Sequence, residues 1–318
     1  TLGWLKPTQP FSAHPLQDPI SKEIYSIGVT PMGEMNIYRC EANCQLIKQR
    51  KLSLKGILLV HSFAIAGPYL VFLISPVTVD TPAILLNQKA FADAAQWEPE
   101  LGTRIHVVDR ETLETVSDRT TDAWFQWHYG NGCVENDGSI SLNFAQFDDF
   151  PHINEELREV PTGQIQTKAY GRLCQLRLNP QTGKIIDSSC VLDRDCEFPQ
   201  VPSAQVGQPW QHTYVMMHRE GVTTGRDWFG AIGRIDDASG ELIQTDLGEN
   251  CYASEPLHVT DKAGKGWILV AVFNAIAQQG TGQSELWILD AQTLGEPACT
   301  LALSSILPLG FHGTWQST

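Results

Sequence analysis

Gly171-Arg172-Leu173-Cys174-Gln175-Leu176-Arg177-Leu178, followed at once by Asn179-Pro180-Gln181-Thr182-Gly183, decides the fold class. The first eight residues alternate between polar and apolar side chains, the pattern of a strand with one face on a core. The next five open on Asn and end on Gly, which is hairpin-turn chemistry. The same grammar recurs outward along the chain. Asp18-Pro19-Ile20-Ser21, Asp109-Arg110-Glu111-Thr112-Leu113, Asp236-Asp237-Ala238-Ser239-Gly240 and Asp290-Ala291-Gln292-Thr293-Leu294 all open a turn on an acid. The last three of these turn phrases, counting Asn179, start about 55 residues apart, roughly the length of one four-stranded propeller blade. Ser284 to Asp290 alternates in the same way, so an all-β chain is expected.

With 318 residues, 42% hydrophobic content and 26 glycines, the chain can bury a large core. No composition break or low-complexity linker divides it, so residues 1–318 are expected to form a single domain. A formal net charge of −14 without a Lys/Arg cluster excludes a nucleic-acid partner. Long amphipathic patterns are scarce, and Leu86–Trp97 is the one stretch expected to form a short helix. Residues 56–79 carry no formal charge, but Gly67-Pro68 and Pro76 punctuate the apolar run. Two buried strands, Ile57–Ala66 and Tyr69–Ser75, fit it better than a membrane-spanning helix.

The eight cysteines lack a paired CxxC framework and are expected to be reduced, structural thiols of a cytoplasmic protein. Apolar loops leave room for peripheral membrane contact. The opening Thr1-Leu2-Gly3-Trp4-Leu5-Lys6-Pro7 has neither a signal-peptide pattern nor an initiator Met, so a trimmed or truncated N-terminus is expected.

Nine histidines occur, and a single one is more often a satisfied core or surface residue than a ligand. His106 fits an ordinary strand, and His152, His212, His218 and His258 are read as structural. Four others stand in distinctive phrases: Ser12-Ala13-His14-Pro15, Val60-His61-Ser62-Phe63, Trp127-His128-Tyr129-Gly130-Asn131 and Gly310-Phe311-His312-Gly313-Thr314-Trp315. They are too far apart for a local zinc finger, and only a fold that returns repeatedly to one axis could gather them. His14, His128 and His312 are expected where a strand meets a turn, and His61 at the start of a strand. Glu197-Phe198-Pro199 and Glu255-Pro256 supply carboxylates that could take the second ring N–H of a ligand imidazole. Four neutral imidazoles suit Zn, Cu, Fe or Ni, so ligand type alone does not choose the ion.

At these residues the chain resembles the carotenoid cleavage oxygenase family of non-haem iron enzymes. The resemblance rests on Ser12-Ala-His14-Pro-x-x-Asp18-Pro, His61-Ser-Phe-Ala-Ile with Tyr69-Leu-Val-Phe, Trp127-His128-Tyr-Gly-Asn131 and Gly310-Phe-His312-Gly-Thr. It implies a seven-bladed β-propeller with a loop and helix dome, incomplete here at the N-terminus. It implies Fe(II) held by His14, His61, His128 and His312, with Glu197 and Glu255 orienting two of them. A third orienting glutamate of the family has no counterpart, Ser62 stands where many members have Asp, and Phe147-Asp148-Asp149-Phe150-Pro151 matches only loosely.

The activity so implied is cleavage of a conjugated C=C bond of a carotenoid or apocarotenoid by dioxygen, giving aldehyde or ketone products. Phe63, Trp127, Tyr129, Phe144, Phe147 and Phe311 are the expected walls of an apolar substrate tunnel. Competing readings are a stilbenoid-cleaving dioxygenase or an isomerohydrolase of the same family, a truncated propeller without iron, and a metal-free propeller binding module.

Overall fold

The computed structural model describes residues 3–6, 9–30, 33–54, 59–222, 227–307 and 311–315, the side chains of 278 and 279 excepted. Thr1, Leu2 and Pro7 of the N-terminal reading, Ile57 of the apolar run and Gly310 of the last histidine phrase lie outside them.

The described residues form successive antiparallel hairpins. The first sheet is β1 (Leu16–Gln17), β2 (Ile24–Val29), β3 (Glu34–Cys40) and β4 (Leu46–Ser53), in chain order. The second joins β5 (Ala64–Ala66) and β6 (Tyr69–Ile74) to β9 (Thr103–Asp109) and β10 (Thr115–Thr121); β7 (Val77–Val79) and β8 (Ala95–Trp97) make a separate ribbon. The third is β11 (Phe125–Val134), β12 (Ile140–Phe147), β13 (Arg172–Leu178) and β14 (Ile185–Leu192). The fourth is β15 (Cys196–Gln200), β16 (His212–Met217), β17 (Ala231–Asp236) and β18 (Leu242–Asp246). In the fifth, β19 (Cys251–Ala253) and β20 (Leu257–Thr260) both pair with β21 (Gly266–Asn274), followed by β22 (Gln283–Asp290) and β23 (Leu294–Ala302).

The recurrent turn phrases close the last hairpin of four of these sheets. Asp109, Asn179, Asp236 and Asp290 each accept, on Oδ1, backbone N–H groups two and three residues on. The residue four places after each has positive φ: Leu113 at 57°, Gly183 at 64°, Gly240 at 72° and Leu294 at 52°. Glycine takes that conformation freely, whereas leucine pays for it. Leu113 and Leu294 are both 1% exposed within apolar clusters, so burial offsets the backbone strain.

Two compact units result. The first comprises Thr1–Asn154, Gln175–Ser189 and Gln205–Pro209; the second comprises Glu155–Cys174, Cys190–Ala204 and Trp210–Thr318. In the first, Tyr25, Ile27, Met35 and Ile37 of β2 and β3 pack with Phe63, Leu70 and Phe72. In the second, Tyr214, Met216 and Ile232 pack with Ile268, Val270 and Val272 of β21.

Two local expectations are corrected. Leu86–Trp97 is not one helix: α1 spans Thr81–Leu85, α2 spans Phe91–Ala94, and residues 95–97 are β8. The helix starts earlier because Asp80 accepts the Ala83 N–H and Pro82 sits in the first turn, and Asn87 at φ 54° breaks it. Of the expected strand Ile57–Ala66, only Ala64–Ala66 pairs among the described residues. A longer helix, α3 (Phe150–Glu159), was not anticipated, although Asp149 accepting the His152 N–H with Pro151 in the first turn is a start signal.

Helix α3 buries Glu156, which accepts the Ala169 N–H at 2.9 Å near the Asp195–His218 pair. Burial pushes its carboxyl up to about 7, helped by the Asp195 charge. The folded state therefore keeps a proton that the unfolded chain, titrating near about 4.3, releases. Stability contributed below that pH is lost as pH rises toward 7. Glu156→Gln is expected to raise stability at pH 8 by about 1–3 kcal/mol and to change little at pH 4. Urea unfolding at the two pH values measures this.

Candidate metal centre

Three of the four highlighted histidines belong to the first unit, and each arrives by a different local device. His14 lies in the loop before β1. That loop is strapped onto the first sheet: Ser12 N–H donates to the Ile27 carbonyl at 2.6 Å, and Tyr38 Oη donates to the Pro10 carbonyl at 3.1 Å. Phe11 stacks on Tyr38 with centroids 5.6 Å apart. The close approach needs Gly28 on β2, where a Cβ would meet the Pro10 carbonyl oxygen at 1.9 Å.

His61 sits three residues before β5, rather than at the start of a strand. His128 lies inside the ten-residue strand β11, rather than where a strand meets a turn. The β11–β12 register jumps between Gln126↔Gln146 and Tyr129↔Phe144, so Trp127 and His128 together oppose one residue. Such a bulge re-aims a side chain out of the regular alternation.

The three imidazoles converge. Ring centroids of His14 and His61 are 4.4 Å apart, those of His61 and His128 5.0 Å, and those of His14 and His128 5.3 Å. His61 Nε2 is 3.1 Å from His128 Nε2. Two nitrogens bound to one ion at about 2.1 Å would be roughly 3.0–3.4 Å apart, so this spacing fits a shared metal. The ligand atoms of the three lie within 4.8 Å of one another, a group that could hold a metal ion.

The second unit carries the fourth histidine with both glutamates. His312 Nδ1 is 3.4 Å from Glu255 Oε2, which also accepts the Gly313 N–H at 3.2 Å. Gln200 Nε2 donates to Glu255 Oε1 at 2.5 Å and fixes that carboxylate from behind. Glu197 on β15 is 3% exposed, and burial pushes its carboxyl up to about 8. The Phe198 backbone N–H donates to Glu197, and Phe198, at φ 53°, places its ring 5.2 Å from that of His312.

The aromatic candidates divide by surroundings. Trp127 meets His61 edge-on at 4.8 Å. Phe63 stacks on Phe72, and Tyr129 Oη accepts the Leu73 N–H at 2.7 Å. Phe144 and Phe147 are buried, Phe144 beside Trp124 and Phe147 beside Phe125. Phe311 is exposed and stacks on Phe198. Ser12, Gly28, Ser62 and Gln200 also shape these sites, and no role had been read for them. Gly28 and Gln200 carry no local motif; Ser12 and Ser62 lie within the histidine phrases. His106 lies in β9, where burial lowers it to about 4, in keeping with an ordinary core histidine.

Successive antiparallel sheets of four or five strands, with imidazoles carried on loops and a bulge, define an all-β protein with a histidine group suited to a metal, and its structural neighbours are β-propellers. Residues 1–317 match the family described as retinal pigment epithelial membrane protein, and the chain belongs to this carotenoid oxygenase family. It is 28% identical to the apocarotenoid-15,15'-oxygenase of Synechocystis, over 99% of this chain and 65% of that protein. It is 22% identical to resveratrol cleavage oxygenase 1 of Aspergillus fumigatus, over 97% of this chain and 65% of that protein. The crystal structure of the cobalt-substituted Synechocystis oxygenase superposes with a TM-score of 0.87 at 26% identity, over 100% of this chain and 67% of that one. The chain thus spans slightly under two thirds of the length of these curated relatives. Among the described residues no helix is long and apolar enough to cross a membrane.

Proposed function

We propose that this chain is a non-haem Fe(II) dioxygenase that cleaves a conjugated C=C bond of an apocarotenoid or carotenoid. The observation that carries the proposal is the meeting of His14, His61 and His128 in the first unit, with His61 and His128 nitrogens at metal-sharing distance. On this reading His312 supplies the fourth imidazole, and residues 1–318 act as one seven-bladed propeller domain. The histidine set could hold a metal ion, and a relative was crystallised with cobalt in place of its metal. Neutral imidazole is a ligand type suited to divalent iron.

Bound there, the iron would supply the site at which dioxygen is engaged. The chain's residues do the rest. Glu255 stands at the Nδ1 side of His312, so that Nε2 would be the ligating atom, and Glu197 would orient a second imidazole. Trp127, against His61, and Phe311, over Phe198, would wall a dry channel with Phe63, Tyr129, Phe144 and Phe147. Such a channel places the polyene and excludes water. One alkene and one dioxygen give two carbonyl fragments, so no other reductant is required.

A stilbenoid substrate is the second reading, supported by the likeness to the Aspergillus resveratrol oxygenase. Metal analysis of anaerobically purified protein, then oxygen uptake with an apocarotenal and with a hydroxystilbene, tests both. About one iron per chain is expected, with faster uptake on the apocarotenal. Product without oxygen uptake would mean isomerohydrolase chemistry. Neither iron nor uptake would mean a propeller that binds no metal.

A further inference from the structure

The three imidazoles of the first unit come from irregular places in the chain: two precede a strand and one lies where a strand's register jumps. His14 is in a loop, His61 three residues before β5, and His128 in a bulge. Two serine hydroxyls connect these segments. Ser62, next to His61, donates from Oγ to the carbonyl of Trp127, next to His128. Ser12 Oγ accepts the His14 N–H at 3.0 Å and lies 3.4 Å from the His61 carbonyl, to which it donates.

We propose that Ser62, assisted by Ser12, is a positioning residue that sets the spacing of His14, His61 and His128 by hydrogen bonds between their neighbouring backbones. The inference rests on the metal-binding reading of those histidines. The Trp127 carbonyl belongs to a bulged residue outside the β11–β12 register, and the Ser62 hydroxyl is a side-chain donor that reaches it. Ser62 is 9% exposed, and water replaces that donor poorly. A hydroxyl can donate to a carbonyl, whereas an ionised carboxylate at the same position can only accept. The hydroxyl also adds no charge beside the imidazoles.

The test uses Co(II), whose visible bands report ligand number and geometry without turnover. Wild type, Ser62→Ala, Ser62→Thr and Ser62→Asp are titrated with Co(II) against a competing chelator, and the melting of each metal-free protein is recorded. The expected result is a loss of Co(II) affinity of about 10–100-fold in the Ala and Asp variants, with altered bands, and recovery in the Thr variant, which keeps the donor. Asp236→Ala, which breaks a turn in the second unit, controls for general destabilisation; it should lower melting without changing the bands. Wild-type affinity and bands in Ser62→Ala would overturn the proposal, as would a loss no larger than that of Asp236→Ala or no recovery in Ser62→Thr. A wild-type protein that fails to bind Co(II) would instead overturn the metal reading itself, and this inference with it.

Discussion

Replacement of His128 with Ala is expected to reduce bound iron from about one per chain to a trace and oxygen uptake by more than about a hundredfold. Losing a residue that merely supports a ligand typically costs 10–100-fold in metal affinity or activity, and removing a ligand itself costs more. The metal-free protein supplies the discriminating readout. His61 and His128 hold their Nε2 atoms 3.1 Å apart, a spacing that constrains both rings and suits one shared ion. Truncating one ring relieves that constraint while the Ala Cβ stays in β11. Metal-free His128→Ala should therefore be as stable as wild type to within about 1 kcal/mol. A structural histidine would behave otherwise: its loss from a site only 9% exposed would cost about 2 kcal/mol or more, with metal content unchanged. Iron analysis together with urea unfolding separates the two.

The second large effect is expected at Gly28, a residue with no chemistry of its own. Its Cβ would stand 1.9 Å from the Pro10 carbonyl oxygen and 2.6 Å from the Pro10 carbonyl carbon, both backbone atoms. No rotamer change relieves such a clash, so the Pro10 segment must move by more than 1 Å, a shift of order set by ordinary contact near 3.5 Å. That segment is also held by Tyr38 Oη, and it leads through Ser12 to His14. Gly28→Ala is expected to cost about 2–4 kcal/mol and to weaken Co(II) binding at least about tenfold, although the substitution lies within a strand of the first sheet. Saturating metal should restore part of the lost stability, because an ion that binds only the native arrangement shifts the folding equilibrium toward it. Unfolding measured with and without Co(II) reads both quantities. Gly138→Ala, where a Cβ would meet nothing within 4 Å, provides a comparison for space, although its φ of 81° adds strain of its own.

The repeating hairpin was legible because its chemistry is local. An Asp or Asn at the turn start accepts nearby N–H groups, and the residue four places on takes positive φ. These interactions span five residues and leave a signature in composition. The helices were less legible. Ala90, Phe91, Ala94 and Trp97 suggested a helix, but Asn87 and the pairing of residues 95–97 with β7 confined it to a single turn. Tertiary pairing outweighed a weak propensity there. For α3 the start signal at Asp149 and Pro151 was present but lay inside a phrase read for its likeness to a family.

By itself the sequence determined the class of fold, the family, and which histidines and glutamates carry distinctive phrases, because alternation, turn chemistry and short motifs are properties of adjacent residues. Only the tertiary structure decided how those histidines are held. A register jump turns the Trp127–His128 pair out of the strand, a missing side chain at Gly28 admits the Pro10 loop, and two serine hydroxyls link backbones that no ladder joins. Each of these depends on residues distant in sequence meeting within a few ångströms, and no local pattern records such a meeting.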